Sequence, residues 1–444
     1  MKRTCLFAFA LLGALGHARA EERKSEPVPP ENLYFETDEF IRNPKYTVSV
    51  GVRRLSGVKT SMSGSGTIKQ SGVKFDPTID TSDPTLCDPR RVYNDGAVGI
   101  DTRWDYRYDS NGAPVFAMNG GVAANPKATP ENGYIPADGK TNNWSTTYAS
   151  QLTADGKIAM HAYEAKTLDN GPGVGQTAAT DGMEVVISHD MSPREKRFSW
   201  TLMTGMSLND IRSKLTANVT SDVTTYTDLY TVTPKQYPTS DADRTVTSPY
   251  TGGETVRVVL RSRDGAIVYQ VDSNGNSTGT PTYVYVDNSH LLQLDPSRTV
   301  TVDAGNITNV INSYKLHGAF YSLRMGPTVS LAITERLRVV MSAGFALAYS
   351  GSTYTVRSDF IPPSEDATPF TVVEEGTDKH FLPGFYVDAN MEYWLTENTG
   401  LYAGGVYQNN GTYTQRIDSE TADYATRVDL SSMTGFRAGM NYRF

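Results

Sequence analysis

The last part of the chain alternates between apolar and polar residues with a period of two. From Tyr424 to Phe444 the even positions are mostly apolar, and the odd positions are mostly charged, polar or glycine. This alternation predicts a β-strand with one apolar face. The run has about 21 residues, whereas strands of soluble proteins usually have about 5–6 and a tilted membrane strand needs about 9–11. The length therefore favours a strand that crosses a membrane and continues beyond it.

The same alternation recurs on both sides of three short turns. The turns are Thr334-Glu335-Arg336, Glu397-Asn398-Thr399-Gly400 and Ser192-Pro193-Arg194-Glu195, and the alternating runs beside them cover residues 321–333, 337–350, 381–395, 183–187 and 198–208. Transmembrane β-barrels have short turns at the periplasmic end and long loops at the outer end. If Phe444 is periplasmic, counting strands backwards puts all three short turns in the periplasm.

The N-terminal half fits this pattern less regularly. Alternating runs at residues 46–53, 98–108 and 144–152 predict three more strands, but the connection from Asp109 to Asn143 is long for a periplasmic turn. The total is about ten spanning strands, with a range of eight to twelve. We therefore predict an all-β chain that forms a transmembrane, antiparallel, up-and-down β-barrel with long extracellular loops and short periplasmic turns.

The largest predicted insertion covers residues 209–318. It has hairpin signals at Arg263-Asp264-Gly265 and Asn274-Gly275, and we expect it to form a β-rich extracellular loop. In an alternative arrangement, two strands of this segment extend the barrel.

The N-terminus has the pattern of a secretory signal peptide. Met1-Lys2-Arg3 is positively charged, Leu6 to Leu15 is apolar, and Ala18-Arg19-Ala20 offers small residues for cleavage. The apolar run is shorter than the roughly 20 residues of a membrane helix. The predicted organisation is a signal peptide at residues 1–20, a periplasmic tail at 21–44 and a barrel at 45–444.

Composition excludes several classes of protein. The net charge of -8 argues against a nucleic-acid partner. The mean hydropathy of -0.41, with no other long apolar run, excludes a helical membrane protein. Cys5 would leave with the signal peptide, so Cys87 has no partner for an intramolecular disulfide.

The C-terminal residues carry a resemblance. Phe436, Met440, Tyr442 and the final Phe444 form a pattern that is similar to the C-terminal signal of Gram-negative outer-membrane β-barrel proteins. The resemblance implies export to the cell outer membrane, insertion by the outer-membrane assembly machinery and the lipid bilayer as a partner. It implies no catalytic residue and no substrate.

Charged residues on the polar faces of the predicted strands should share the interior of the barrel. They are Asp101, Arg103, Asp105, Arg107, Arg324, Arg338, Asp388, Glu392, Arg427, Asp429, Arg437 and Arg443. A barrel of about eight strands is just filled by side chains, and porins of about sixteen leave a channel. Two roles stay open: an ion-pair network that fills a structural or surface scaffold, and a narrow passive channel for small solutes.

Catalytic and metal sites have weaker signals. The candidates for a nucleophile and its base are Ser188-His189-Asp190, His161, His290 beside Ser289, and His317, while Asp76, Asp80, Asp83 and Asp88 are candidates for calcium. None of these sets matches a defined motif, so we predict no enzymatic activity, no metal and no cofactor. Aromatic residues such as Trp200 and Tyr393 are expected to form girdles at the membrane interfaces.

Two alternatives belong to other classes of protein. A secreted, soluble β-sandwich or lectin-like binding protein would pack the same apolar faces against each other. An outer-leaflet lipid-modifying enzyme would depend on His161 or His290. The position of the apolar faces, exposed or packed in a core, separates the first alternative from a membrane barrel.

Overall fold

The computed structural model describes residues 45–70, 72, 83, 87–106, 109–111, 124–169, 171–177, 179–192, 197–238 and 241–444. The predicted signal peptide and periplasmic tail, Arg107 and part of the predicted turn at 192–195 lie outside the described residues.

The described part of the chain is all-β, as predicted, with three single-turn 3₁₀ helices at Pro130–Asn132, Ala149–Gln151 and Asp241–Arg244. The strands are β1 (Tyr46–Ser56), β2 (Lys59–Lys69), β3 (Arg91–Val92), β4 (Gly96–Val98), β5 (Trp104–Tyr106), β6 (Ala124–Pro126), β7 (Lys140–Thr141), β8 (Trp144–Thr146), β9 (Ile158–Thr167), β10 (Gly173–Val174), β11 (Gln176–Thr177), β12 (Thr180–Asp190), β13 (Phe198–Tyr230), β14 (Val232–Thr233), β15 (Thr255–Val259), β16 (Tyr269–Val271), β17 (Ser277–Pro281), β18 (Tyr283–Asp287), β19 (Leu291–Gln293), β20 (Ser297–Ala332), β21 (Leu337–Phe360), β22 (Phe370–Trp394), β23 (Thr399–Asn409), β24 (Thr412–Asp418), β25 (Ala422–Asp429) and β26 (Met433–Arg443). Among the described residues, no helix has the length and hydropathy needed to cross a membrane.

Eight antiparallel strands form a ring. Going round it, the order is β1, β12, β13, β20, β21, β22, β23 and β26, and β26 pairs with β1 again. Eight is the lower limit of the range predicted for spanning strands. The described chain has 26 strands in all, more than the ten or so predicted, and eight of them form the ring.

The short turns and the C-terminus meet at one end of the ring, which we call the lower end. Backbone hydrogen bonds connect Arg443 to Asn398, Trp394 to Arg336, and Ala332 to Arg197. Phe444 in turn donates its amide to the carbonyl of Tyr46. The structure thus places the predicted turns at 334–336 and 397–400, and Arg197 beside the third predicted turn, at the same end as Phe444.

At the upper end, long strands continue into a second tier. β13 has 33 residues and β20 has 36, and they stay paired far above the ring. Along its upper part β13 also pairs with β9, which pairs with β2, then β25 and β24. Residues 209–230 and 297–318 therefore belong to these strands. The predicted insertion at 209–318 thus includes the upper parts of β13 and β20 as well as the shorter strands β14 to β19 between them.

The C-terminal run is two strands and not one. β25 ends at Asp429 and β26 begins at Met433, with Leu430 held between them by backbone hydrogen bonds to Asn410 and Gly411. The buried positions are even up to Leu430 and odd from Met433 onward. Because the face changes here, the prediction that Arg427 and Asp429 face the interior is wrong: Arg427 is exposed and Asp429 is half-buried at the outer surface.

Residues 87–152 and 231–296, where described, form a cap on the upper end. One short sheet contains β3, β4 and β8, and a second contains β7, β19 and β14. In addition, β15 pairs with β18 and β16 pairs with β17. Trp144 stacks on Tyr250 in its core, with ring centroids 4.0 Å apart. The predicted spanning strands at 98–108 and 144–152 lie in this cap, since their partners are other short cap strands.

Candidate functional site

The outer surface of the ring is apolar. Every ring strand carries large apolar side chains at outward positions that are between 37% and 70% exposed. We call this set the apolar belt: Tyr46, Val50, Val52, Met183, Val185, Ile187, Phe198, Trp200, Leu202, Met206, Tyr321, Leu323, Met325, Val329, Leu331, Ile333, Met341, Phe345, Leu347, Phe381, Phe385, Val387, Met391, Tyr393, Leu395, Leu401, Phe436, Met440, Tyr442 and Phe444. It includes all four residues of the predicted C-terminal signal.

The interior at the same level is largely polar. The buried polar side chains there are Arg53, Glu184, Ser207, Asn209, Ser322, Arg324, Thr328, Ser330, Ser342, Asp388, Asn390, Gln408, Arg437 and Asn441. Soluble proteins bury apolar side chains and expose charged ones. The ring has the opposite arrangement, and the side chains that a soluble β-sandwich would bury are exposed.

The polarity reverses along single strands. On β20, Leu323 and Met325 are exposed while Arg324 is buried, but higher up Leu316 is buried while Lys315 is exposed. From Val310 to Ser330 the even residues point inward, so the strand does not rotate over this stretch. The change from polar to apolar interior falls between residues 320 and 322 and marks the upper edge of the belt.

Aromatic residues mark both edges of the belt. At the upper edge Tyr321, Tyr349 and Phe381 are direct neighbours on three adjacent strands, and the rings of Tyr349 and Phe381 lie 4.7 Å apart. At the lower edge the ring of Phe444 lies 6.0 Å from that of Tyr46. Two aromatic bands around an apolar surface are a feature of membrane barrels.

Four charged side chains cross the interior at the level of the belt, and we call them the lumen network. Arg324 Nη2 donates to Glu184 Oε2 at 2.7 Å, and Arg324 Nη1 lies 3.4 Å from Asp388 Oδ2. Arg437 Nε donates to Glu184 Oε1 and Arg437 Nη1 to Asp388 Oδ2, both at 2.7 Å. All four side chains are at most 5% exposed. They come from four different strands, so the network ties opposite walls of the ring together.

Neutral groups complete the network. Tyr402 donates its hydroxyl to Glu184 at 2.8 Å, and Ser342 and Asn390 donate to Asp388 Oδ1 at 2.5 and 3.1 Å. Tyr402 reaches inward across Gly51, where a Cβ would lie 2.2 Å from its hydroxyl oxygen. The absence of a side chain at residue 51 therefore makes room for this donor.

Arg53 lies in the same interior but contacts neutral partners. Its Nη1 donates to Ser207 at 2.7 Å and its Nη2 to the Gln408 side chain at 2.8 Å. Gln408 in turn donates to Ser322 at 2.7 Å. Arg53 is thus held in place by hydrogen bonds and not by a carboxylate.

The lower mouth of the ring carries a second, half-buried group of charges. Arg338 is the direct cross-strand neighbour of Glu392. The Arg443 guanidinium lies 3.4 Å from the centre of the Trp394 ring, a cation–π contact. These charges are partly open to solvent.

The eleven predicted interior charges that the structure describes fall into separate groups, and Arg107 lies outside the described residues. Arg324, Asp388 and Arg437 lie in the lumen network, and Arg338, Glu392 and Arg443 lie at the lower mouth. Asp101, Arg103 and Asp105 lie in the cap, so their predicted interior position is wrong, as it is for Arg427 and Asp429. The sequence prediction did not include Glu184 and Arg53, although both occupy the polar face of alternating runs.

In the cap, Arg103 forms an ion-paired cluster of its own. It donates to Asp101 at 2.8 Å and to Asp138 at 2.9 and 3.0 Å. Burial raises the pKa of Asp101, and the hydrogen bond from Arg103 offsets this only in part. For Asp138 burial is the largest single influence and raises the pKa, but the hydrogen bond and charge of Arg103, together with the Lys140 amide and the charge of Lys127, lower the pKa overall.

The predicted catalytic candidates are scattered. Ser188 and His189 are consecutive on β12, so they point to opposite faces of the strand. His161 Nδ1 lies 2.6 Å from Asp95 Oδ2, and His290 Nδ1 lies 3.2 Å from the Thr233 carbonyl oxygen. His317 is exposed on the upper part of β20.

The calcium candidates Asp76 and Asp80 lie outside the described residues, and Asp88 pairs with Arg90 at 2.5 Å. Within the described ranges, no group of three or more histidine, cysteine or acidic side chains is placed to hold a metal ion.

No protein-family model matches the chain, and no curated protein matches it. Among solved structures, it is similar to the outer membrane protease OmpT from Escherichia coli at 10% identity, over 90% of this chain and 97% of that chain, with a TM-score of 0.25. A Pseudomonas aeruginosa FadL homologue is similar at 9% identity, over 90% of each chain, with a TM-score of 0.16. A mutant of the monoaromatic hydrocarbon channel TodX is similar at 7% identity, over 91% of each chain, with a TM-score of 0.15. Likenesses with such TM-scores support no inference about fold or function.

Proposed function

We propose that the chain is an integral outer-membrane β-barrel with a filled interior, which holds the cap at the cell surface as a scaffold. The observation that carries this proposal is the apolar belt: an exposed apolar surface surrounds a polar interior on all eight ring strands. Because the ring closes on itself, none of its strands has an edge with unpaired backbone N–H and C=O groups. Strands in lipid require this, because lipid cannot form hydrogen bonds with such groups.

The height of the belt supports membrane insertion. On β20 it runs from Tyr321 to Leu331, or eleven residues, and a tilted transmembrane strand needs about 9–11. The lower end, with its short turns, corresponds to the periplasmic side. The upper tier and the cap then project outward from the cell.

Detergent dependence tests the membrane part of this proposal. The mature chain, refolded in detergent micelles, should be monodisperse by light scattering and should aggregate when the detergent is removed, because the belt is then exposed to water. A mature chain that stays folded and monodisperse in detergent-free buffer would contradict insertion and favour the soluble alternative.

The lumen network supports a scaffold over a passive channel. Eight strands enclose an interior that side chains just fill, and here Glu184, Arg324, Asp388 and Arg437 meet across it with almost no exposure. Above them a packed apolar core that includes Leu55, Phe320 and Tyr354 continues the filling. A water-filled path would have to pass both layers.

Recordings from planar lipid bilayers test whether the barrel conducts. We expect no single-channel steps from the wild-type chain. The variant Glu184→Ser, Arg324→Ser, Phe320→Ser and Tyr354→Ser removes large side chains from both layers without changing the net charge, and it should produce small steps. The matched control, Arg357→Ser with Asp359→Ser, removes an outer ion pair of 2.8 Å on β21 and should stay silent. Regular steps from the wild type would favour the channel.

One observation favours the alternative of a lipid-modifying enzyme. Asp95 holds His161 Nδ1 at 2.6 Å, which is how a carboxylate orients a general base. If the chain hydrolyses outer-leaflet lipids through this pair, His161→Ala should abolish turnover, and His317→Ala, which changes an exposed histidine on β20, should leave it unchanged. Absence of turnover by the wild-type chain in lipid vesicles would remove this alternative.

A further inference from the structure

We propose that the interior of the ring binds one small monovalent anion, a halide such as chloride, between Arg53, Thr180 and Asn209. This inference goes beyond the scaffold role and depends only on the geometry of the ring. It does not require the chain to lie in a membrane.

The first argument is charge balance. At the level of the belt the buried charged side chains are Arg53, Arg324, Arg437, Glu184 and Asp388. Three arginines and two carboxylates leave a formal charge of +1. Both carboxylates are engaged by Arg324 and Arg437, whereas Arg53 has only neutral partners. An arginine keeps its charge at physiological pH, and a buried charge without a counter-charge is costly.

The second argument is a group of hydrogen-bond donors close to Arg53. Arg53, Gly182 and Asn209 are direct cross-strand neighbours on β1, β12 and β13. Arg53 Nε, Asn209 Nδ2 and Thr180 Oγ1 are buried, and none has a hydrogen-bond partner among the described residues. Thr180 precedes Gly182 by two positions and points to the same face. Three unused donors thus lie on three adjacent strands, beside the one residue of this group that has no side chain.

The third argument is the shape of the surroundings, which favours a single small ion. A Cβ at Gly182 would lie 2.4 Å from Asn209 Nδ2, so the amide occupies the space beside the glycine and leaves little room there. Leu55 and Ile211, both fully buried, close the interior directly above. A water molecule would satisfy the donors but not the charge, and a larger oxyanion would need the apolar layer to move.

Crystallography with bromide gives the direct test. Full mature chain refolded in detergent and crystallised in sodium bromide should show an anomalous peak within hydrogen-bond distance of Arg53 Nε and Asn209 Nδ2. A water molecule at this position, or density without an anomalous signal, overturns the proposal.

Thermal unfolding in solution gives an independent test. At constant ionic strength, replacing methanesulfonate by chloride should raise the unfolding midpoint of the wild type. Arg53→Met should lose this dependence, and Arg54→Met should keep it, because Arg54 is the next residue, faces outward and pairs with Asp181 at the surface. Equal chloride dependence in the two variants overturns the proposal.

A second variant covers the case in which Arg53→Met fails to fold. Thr180→Val keeps the shape of the side chain and removes one donor, so it should weaken chloride binding by about tenfold, the equivalent of one hydrogen bond to a charged group. A Thr180→Val chain with wild-type chloride affinity, together with no bromide peak in the wild type, overturns the proposal.

Discussion

Replacement of Arg437 by methionine should destabilise the folded barrel strongly. Arg437 bridges Glu184 and Asp388 with two hydrogen bonds of 2.7 Å and is almost completely buried. Methionine fills much of the same volume but leaves the two carboxylates with Arg324 as the remaining cation in the lumen network. Removing one partner of a buried ion pair costs about 3–5 kcal/mol, because the remaining charge stays buried without compensation.

The assay is urea unfolding of the chain in detergent micelles, followed by tryptophan fluorescence. The free energy of unfolding of Arg437→Met should fall by about 3–5 kcal/mol. Arg357→Met is the matched control, because Arg357 forms its ion pair with Asp359 at the solvent-exposed surface of the upper tier, and it should have no measurable effect. A loss for Arg437→Met as small as that of the control would refute a tightly packed interior held together by buried ion pairs.

Three further predictions concern the belt and the cap. Met325→Arg places a charge at the middle of the belt and should destabilise the barrel in lipid vesicles by about 2–4 kcal/mol, while His317→Arg, on the same face above the belt, should not; equal effects would contradict the proposed boundary. Tyr93→Phe removes a buried hydroxyl that donates to Asp228 at 2.6 Å and should cost about 1.5–3 kcal/mol, detected as faster proteolysis of the cap; an unchanged cleavage rate would argue that this bond does not anchor it. Because burial raises the pKa of Asp101 above its unfolded value, its contribution to stability is fully present below the unfolded pKa and is lost as the pH rises through the folded pKa. Asp101→Asn should remove this pH dependence from the protection of the cap amides against hydrogen exchange. A pH profile of protection identical to that of the wild type would show that Asp101 does not titrate in this way.

Sequence alternation predicted the strands around the lower turns well. Leu323 and Val387 were expected on one face and Arg324 and Asp388 on the other, and the structure places them so. These strands are joined by turns of a few residues, so the register follows from the local sequence. The apolar side chains also outline the belt directly, because the outward face of these strands is almost uniformly apolar.

The same rule failed at the C-terminal strands for a physical reason. The even residues are apolar both before and after Leu430, and this predicted one continuous strand. In the structure Val428 faces an apolar interior, whereas Phe436 and Met440 face outward in the belt. Between Leu430 and Met433 the inward-facing positions change from even to odd, and at the same level the interior changes from apolar to polar. The even positions therefore stay apolar across both changes, and the sequence pattern places Arg427 on the wrong side of the strand.

The cap and the upper tier depend on contacts between distant parts of the chain. Residues 209–230 and 297–318 pair with each other across more than sixty intervening residues, and no local turn sets their register. Asp101 and Arg103 alternate with apolar residues as barrel charges would, yet they pair with Asp138 and Asn142 inside the cap. The interior position of Glu184 could have been predicted, because Glu184 alternates with Met183 and Val185 in a run with strand periodicity.

Spin labelling along β20 tests the central claim that the belt faces lipid. In a Cys87→Ser background, nitroxides at Tyr321, Leu323, Met325 and Val329 should show high accessibility to oxygen and low accessibility to a water-soluble nickel complex in lipid vesicles. Labels at Ser322, Thr328 and Ser330, whose side chains are buried inside the ring, should be shielded from both. High accessibility of the odd positions to the nickel complex, or loss of the two-residue alternation, would contradict a barrel that turns its apolar side outward.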